Sequence, residues 1–385
     1  MSSKPPVLFS YAFRPFFLMN GIFAMLIIFL WVMSLNGWGL QSATTLWHSH
    51  EMLIGFAMAA VAGFSLTAVA NWTGRPAING TPLALLVLFW LTGRIAMLLF
   101  DRLPAGFVFT LDMLFPVLLA LLLSREIIAA RNRRNYPLVA IIFVIAALNG
   151  LYHLGSSKWL PGNDRLAIYL LIHTLLLLVT IIAGRIVPSF TGNWLRQQGR
   201  EEAPGNSDMI NRATLALTLL TGLAASFIPM HWSTGLLAFA TSIVHGIRLS
   251  RWKGMTTTSN PLLFVLHVAY LWLPIGYALL GCAVFGWLFT PTAALHALTM
   301  GAIGSMVLAV TTRVALGHTG RSLQASRLTV LSYWILMLAV LARVLGPLTG
   351  RAYLSMIDFS AMAWILAFAV FTWEYWPILS RPRAG

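Results

Sequence analysis

Twelve apolar stretches, each about as long as a bilayer core is thick, follow one another along the chain with short polar breaks between them. Crossing a hydrocarbon core of ~30 Å takes roughly 20 helical residues, and lipid supplies no partners for open backbone groups. Strand-type alternation is absent, so helices rather than a barrel must satisfy the backbone. The expected spans are 16–35, 47–70, 82–100, 106–129, 137–155, 165–187, 211–230, 233–249, 261–281, 291–313, 326–346 and 355–377. This defines an all-α polytopic membrane protein. Composition agrees, with 59% hydrophobic and 9% charged residues, which excludes a soluble globular domain. The first span reads as retained rather than as a cleaved signal, because Arg14-Pro15 precedes it and no small-residue cleavage pattern follows.

The net charge of +15 is distributed by loop. One side collects Lys4, Arg14, Arg75, Arg125, Arg131, Arg133, Arg134, Arg185, Arg196, Arg200, Arg212, Arg248, Arg251, Lys253, Arg313, Arg321, Arg327, Arg381 and Arg383. The other holds Arg94, Arg102, Lys158, Arg165, Arg343 and Arg351, a split of 19 against 6. The positive-inside rule then puts both termini in the cytoplasm, and because an odd number of crossings would destroy the alternation, it supports the count of twelve. No contiguous basic face on a soluble domain exists, so nucleic acid is not an expected partner; the lipid bilayer is. The segment 188–210 reads as a solvated linker. The single cysteine, Cys282, excludes an intramolecular disulfide framework and cysteine-ligated iron–sulfur clusters.

Three spans end alike, in Thr73-Gly74-Arg75, Thr191-Gly192-Asn193 and Thr319-Gly320-Arg321. His50 precedes Thr73 by 23 residues and His296 precedes Thr319 by 23, with Gly55 and Gly301 each five after their histidine. These belong to the second, sixth and tenth spans. A single integral membrane domain, 1–385, built from repeats 1–130, 131–250 and 251–385 would explain the spacing; ordinary helix C-caps are the plainer alternative.

Ionisable side chains inside lipid are expensive and point to function. In this topology His48, His50, His153, His173, His231 and His296 lie in the outer half of the bilayer, with His245, His267 and His318 toward the cytoplasm. Imidazole is the commonest haem ligand and a good one for copper. His48 and His50 are about 200° apart on a regular helix, so they would serve different centres or different tasks. Glu51, three after His48, reads as an acceptor for it. His173 lies two turns into an apolar helix, and His296 one turn after Pro291. The expected ligands are therefore His48, His50, His173 and His296. His153 and His231 lie beside loops and read as solvated, and His245 and His267 as packing residues. Arg94 with Asp112, and Arg343 with Asp358, read either as ion pairs or as arginines that clamp haem propionates. Arg185, Pro188, Arg313, His318 and Arg321 form a second polar group at the cytoplasmic ends, which snorkelling arginines explain for the most part and a site for an anion or a quinone headgroup would explain otherwise.

The chain resembles the NnrS family of bacterial inner-membrane proteins. The resemblance rests on Phe13-Arg14-Pro15-Phe16-Phe17, on Trp47-His48-x-His50-Glu51-Met52 with Gly55-Phe56, and on Asn71-Trp72-Thr73-Gly74. It continues through Gly184-Arg185-Ile186-Val187-Pro188-Ser189-Phe190-Thr191 to His296-Ala297 and Leu316-Gly317-His318-Thr319-Gly320-Arg321. It implies a protein of the nitric oxide and nitrosative stress response, linked to denitrification, that contains haem b and copper. A haem-dependent oxidoreductase acting on nitric oxide is one reading. A transporter of copper, haem or an iron–nitrosyl species is another. The electron donor is unknown. At fold level, three four-helix units with histidines on helices two, six and ten resemble the large subunit of haem–copper oxidases. The seventh helix here lacks a histidine, and the tenth has one rather than a close pair.

Overall fold

Residues 5–39, 43–157 and 159–384 are described by the computed structural model; Lys4 and Lys158 of the charge count lie outside them. The described residues contain no β-strand. The long helices are α1 (Phe13–Leu35), α2 (Thr45–Thr73), α3 (Gly80–Leu98), α4 (Ala105–Ala129), α5 (Tyr136–Ser156) and α6 (Asn163–Gln197). They continue with α7 (Asp208–Phe227), α8 (Trp232–Ser250), α9 (Pro261–Val284), α10 (Pro291–His318), α11 (Arg327–Leu345) and α12 (Tyr353–Ser380).

Ten helices among the described residues are long and apolar enough to cross a membrane. Arg327–Ser380 is one of the ten and breaks at Gly350 into α11 and α12, while α8 falls outside the class. The chain is thus an all-α multi-pass membrane protein. Each expected span coincides with a helical segment, but ten is the number that length and composition qualify. Large apolar side chains such as Trp334 and Trp373 are turned outward, as lipid contact requires.

One boundary is corrected. The sixth span does not end at 187: α6 runs on to Gln197 through Pro188, so only the remainder of the expected 188–210 linker is loop. Proline at that point removes one donor, the one that would have bonded the Gly184 carbonyl. The helix continues beyond it and buries Thr191 against His267, 3.0 Å from Nε2.

The chain forms two compact units. The first comprises residues 1–171, 311–322 and 368–385, and the second 172–310 and 323–367. In the first, α1 packs on α2: Phe13 N–H donates to Thr67 Oγ1, Asn20 Nδ2 donates to the Phe56 carbonyl, and Phe17 lies over Gly63. α3 packs on α4, where Gly93 lets Asp112 approach its backbone. Arg14 donates to the carbonyls of Leu379 and Arg381, tying the chain's last turn to its first helix. In the second unit α7 and α8 form a hairpin, and α8 packs along α9.

Two helices share an irregularity. α2 is π-helical over Glu51–Ala57 and α10 over Ala297–Gly304. A π-turn widens the helix and loosens its backbone pairing, and such turns recur at functional sites. In α2 the Gly55 carbonyl accepts Trp90 Nε1 at 3.0 Å and the Phe56 carbonyl accepts Asn20 at 2.7 Å.

Candidate metal centre and buried polar chains

His50 ends the α-helical first turns of α2, whose N-terminus is capped by Thr44 Oγ1 accepting the Trp47 amide. The π-turn begins at the next residue, and both His50 and Glu51 are buried. His50 Nδ1 lies 2.9 Å from Glu51 Oε1. Its Nε2 lies 2.8 Å from Asn149 Oδ1 and 3.2 Å from Asp112 Oδ2. Asp112 Oδ2 also accepts from Asn149 Nδ2 and from His153 Nε2, each at 2.8 Å. Arg94 closes the group from α3, with Nη1 on Glu51 and Nη2 on Asp112. Tyr152 stacks on the His50 ring at 4.4 Å and Phe109 meets His153 edge-on, so water is kept out.

Every member of this group is buried, with relative exposures between 0 and 5%. Two carboxylates face one guanidinium. A buried net charge in lipid is costly, so the balance calls for one more positive charge, from a proton on the imidazoles or from a metal ion. His50, Asp112 and His153 each offer a ligand atom, all within 4.8 Å of one another. Two imidazoles and one carboxylate suit a first-row transition metal, and Glu51 on Nδ1 is the outer carboxylate that fixes such a histidine's orientation. Met113 adds a thioether at the rim, 3.5 Å from Asn149 Nδ2. The donor set fits a first-row transition metal, copper among them.

The ligand atoms of this group come from His50, Asp112 and His153, and do not include the other expected ligands. His48 is half-buried and stacks on Trp31 at 4.8 Å. Glu51, expected as its acceptor, has Oε1 engaged by His50 and Arg94. In the second unit His296 is half-buried, with Nδ1 2.8 Å from its own Thr292 carbonyl. Arg343 donates to the Tyr353 hydroxyl at 3.3 Å and lies over its ring. His173 differs from all of them: it is 4% exposed, Gly222 packs on its Cβ, and neither ring nitrogen has a hydrogen-bond partner among the described residues. A buried imidazole left so is an anomaly that ligation of a metal, haem iron included, would remove.

His153 corrects the solvated reading. It projects from α5 into the group beside Asn149, one helical turn earlier on the same face. A polar pair at that spacing inside an apolar span was the signal for both. His231 is exposed, as expected of a loop residue. His245 is buried in the second unit and joined to Thr218 and Tyr270, while Arg248, counted among the loop charges, is buried beside it.

The fold and this group define a multi-pass all-α membrane protein with a buried cluster of histidine, carboxylate and arginine side chains inside its apolar helices. The family model for the NnrS protein matches residues 7–383, and the chain belongs to the NnrS family. No curated protein matches it.

Proposed function

We propose that the chain is a haem b protein of the nitric oxide and nitrosative stress response. It would act in the bacterial inner membrane with both termini cytoplasmic, and bind nitric oxide or a related small molecule in the outer half of the bilayer. The observation that carries the haem reading is His173, a deeply buried imidazole with both nitrogens unbonded. Leaving a polar group buried and unpaired costs about 1–3 kcal/mol, which ligation of iron offsets. When bound, haem supplies an iron able to take a diatomic gas and to change oxidation state. His48 and His296 are further histidines that would hold haem iron, and Arg343 would hold a propionate.

Copper is assigned to His50, His153 and Asp112. Glu51 turns the His50 ring so that Nε2 faces Asp112, and Arg94 holds the two carboxylates that would otherwise repel. A singly charged cuprous ion would leave the whole group neutral, which low dielectric favours. With its Nη atoms committed to these carboxylates, Arg94 serves the metal group rather than a propionate.

The test is the visible spectrum of detergent-purified protein, oxidised and dithionite-reduced, before and after nitric oxide, with a pyridine haemochrome and metal analysis. The expected result is a b-type spectrum that shifts with the gas. His173→Ala should lose haem. His153→Ala should lower copper by about tenfold or more while keeping haem. A colourless wild-type protein from haem-replete cells overturns the reading and favours transport of copper, haem or an iron–nitrosyl species, which flux into proteoliposomes would reveal. A full haem complement in His173→Ala removes that ligand assignment.

A further inference from the structure

The second unit holds a buried cation with no counter-charge. Arg248, in the last turn of α8, is 5% exposed, and no carboxylate lies within ion-pair distance of it among the described residues. Its partners are neutral: Nε donates to Asn211 Oδ1 at 2.9 Å, and Nη1 donates to the Thr180 carbonyl at 3.0 Å and to the Tyr270 hydroxyl at 3.2 Å. Trp252 lies under the guanidinium at 5.4 Å. Nη2 lies against Gly184, where any side chain on α6 would collide with it, and has no hydrogen-bond partner among the described residues.

The direction of the hydrogen bonds beyond Arg248 follows by exhaustion. Thr218 donates its hydroxyl proton to the Thr214 carbonyl, so its oxygen accepts from His245 Nε2 at 3.0 Å. A neutral His245 then accepts at Nδ1 from the Tyr270 hydroxyl, 2.8 Å away, which leaves the Tyr270 oxygen to accept from Arg248. The chain runs one way, away from the guanidinium. It spreads the positive charge but does not cancel it. Tyr277, stacked on His245 and fully buried, holds a hydroxyl with no partner.

The surroundings at this end are basic. Segment 198–207 folds over it, with Gly205 N–H on the Arg251 carbonyl at 2.7 Å and Pro204 on Gly192. Arg200 and Lys253 share Glu202, while Arg196, Arg212 and Arg251 add further positive charge along 196–253. Such a field draws small anions toward a cationic recess.

We propose that Arg248 is the centre of a binding site for a small monoanion, an oxyanion or carboxylate of the size of nitrate or formate. One negative charge makes the buried site neutral and a dianion overshoots it. Nη2, which has no hydrogen-bond partner among the described residues, offers the planar donors that such oxygens take. The assignment is independent of haem on His173.

The test titrates the detergent-purified full-length protein with sodium formate and sodium nitrate at constant ionic strength, reading heat and unfolding temperature, with sulfate as the dianion control. His173→Ala is titrated in parallel, so that an anion on haem iron is told apart from one on Arg248. Wild type and His173→Ala should both bind the monoanions saturably, in the millimolar range, and not sulfate. Arg248→Gln should abolish this. Arg248→Lys, which keeps charge and fold but loses the planar fork, should weaken it about tenfold, and Arg102→Gln, an exposed arginine outside the 196–253 field, should leave it unchanged. No saturable binding by wild type overturns the proposal, as does undiminished binding in both Arg248 variants; either result makes Arg248 a strut between α6, α7 and α9.

Discussion

In α2, Thr44 caps the helix, His50 follows six residues later, a π-turn opens at the next position, and Gly55 sits inside it against Phe23. In α10, Thr290 caps the helix, His296 follows six residues later, a π-turn opens at the next position, and Gly301 sits inside it against Trp272. Each rod ends 23 residues beyond its histidine in Thr-Gly, with glycine in the left-handed region at φ 68° and 72°. The backbone plan is the same. Its use is not: Glu51 follows His50 where Ala297 follows His296. His50 is fully buried between carboxylate and amide groups, whereas His296 is half-buried and turns back on its own helix. The comparison teaches that the π-turn with its glycine is a scaffold, and that chemistry is added by one acid on the helix and by Arg94, Asp112, Asn149 and His153 brought from three others.

The largest effect should come from breaking the charged group on the α2 side and nothing equivalent on the α10 side. Arg94→Met strands two buried carboxylates and should cost about 3–5 kcal/mol, or prevent folded protein from accumulating. Arg343→Met removes a half-buried arginine bonded to a tyrosine hydroxyl and should cost about 1 kcal/mol or less. Unfolding temperatures of the two variants in one detergent decide it; equal losses would erase the contrast between the helices.

Much of this was legible in the sequence. Spans are readable because lipid demands some 20 apolar residues whatever the tertiary fold. Arg94 and Asp112 were readable as a pair because a buried guanidinium needs a carboxylate. His153 was not, because its nearness to a loop suggests solvent, while its depth depends on how α5 packs on α4. The π-turns carry no propensity signal and follow from which carbonyls tertiary partners such as Trp90 and Asn20 claim. Arg248 was counted as a loop charge because a basic residue near a span's end usually snorkels. That its side chain turns inward onto Thr180 depends on Gly184, one helix away.

A smaller effect tests whether the scaffold is common to both helices. A side chain at Gly55 would run into Phe23, and one at Gly301 would approach Trp272 to 2.8 Å. Gly55→Leu and Gly301→Leu should each cost about 1–3 kcal/mol through overpacking, in contrast to the unequal arginine variants. If one glycine tolerates leucine in a thermal unfolding assay while the other does not, the two π-turns are not structural equivalents.

The smallest effect separates burial from charge. Glu202 is exposed in the 198–207 segment, where its carboxyl is held below its ordinary range, first by the Arg200 hydrogen bond and then by the charges of Arg200 and Lys253. A depressed carboxylate contributes stability that is present above its unfolded value, about pH 4.3, and is lost as pH falls through the folded one. Hydrogen exchange in 198–207 should therefore quicken, beyond its intrinsic pH dependence, only below about pH 4. Glu202→Gln should reproduce that loosening at neutral pH with no measurable change in the unfolding temperature of the whole protein, because solvent screens an exposed pair. Were Glu202→Gln to destabilise the protein as much as Arg94→Met, burial would not be what gives the α2 group its weight, and its likeness to a metal centre would lose its physical basis.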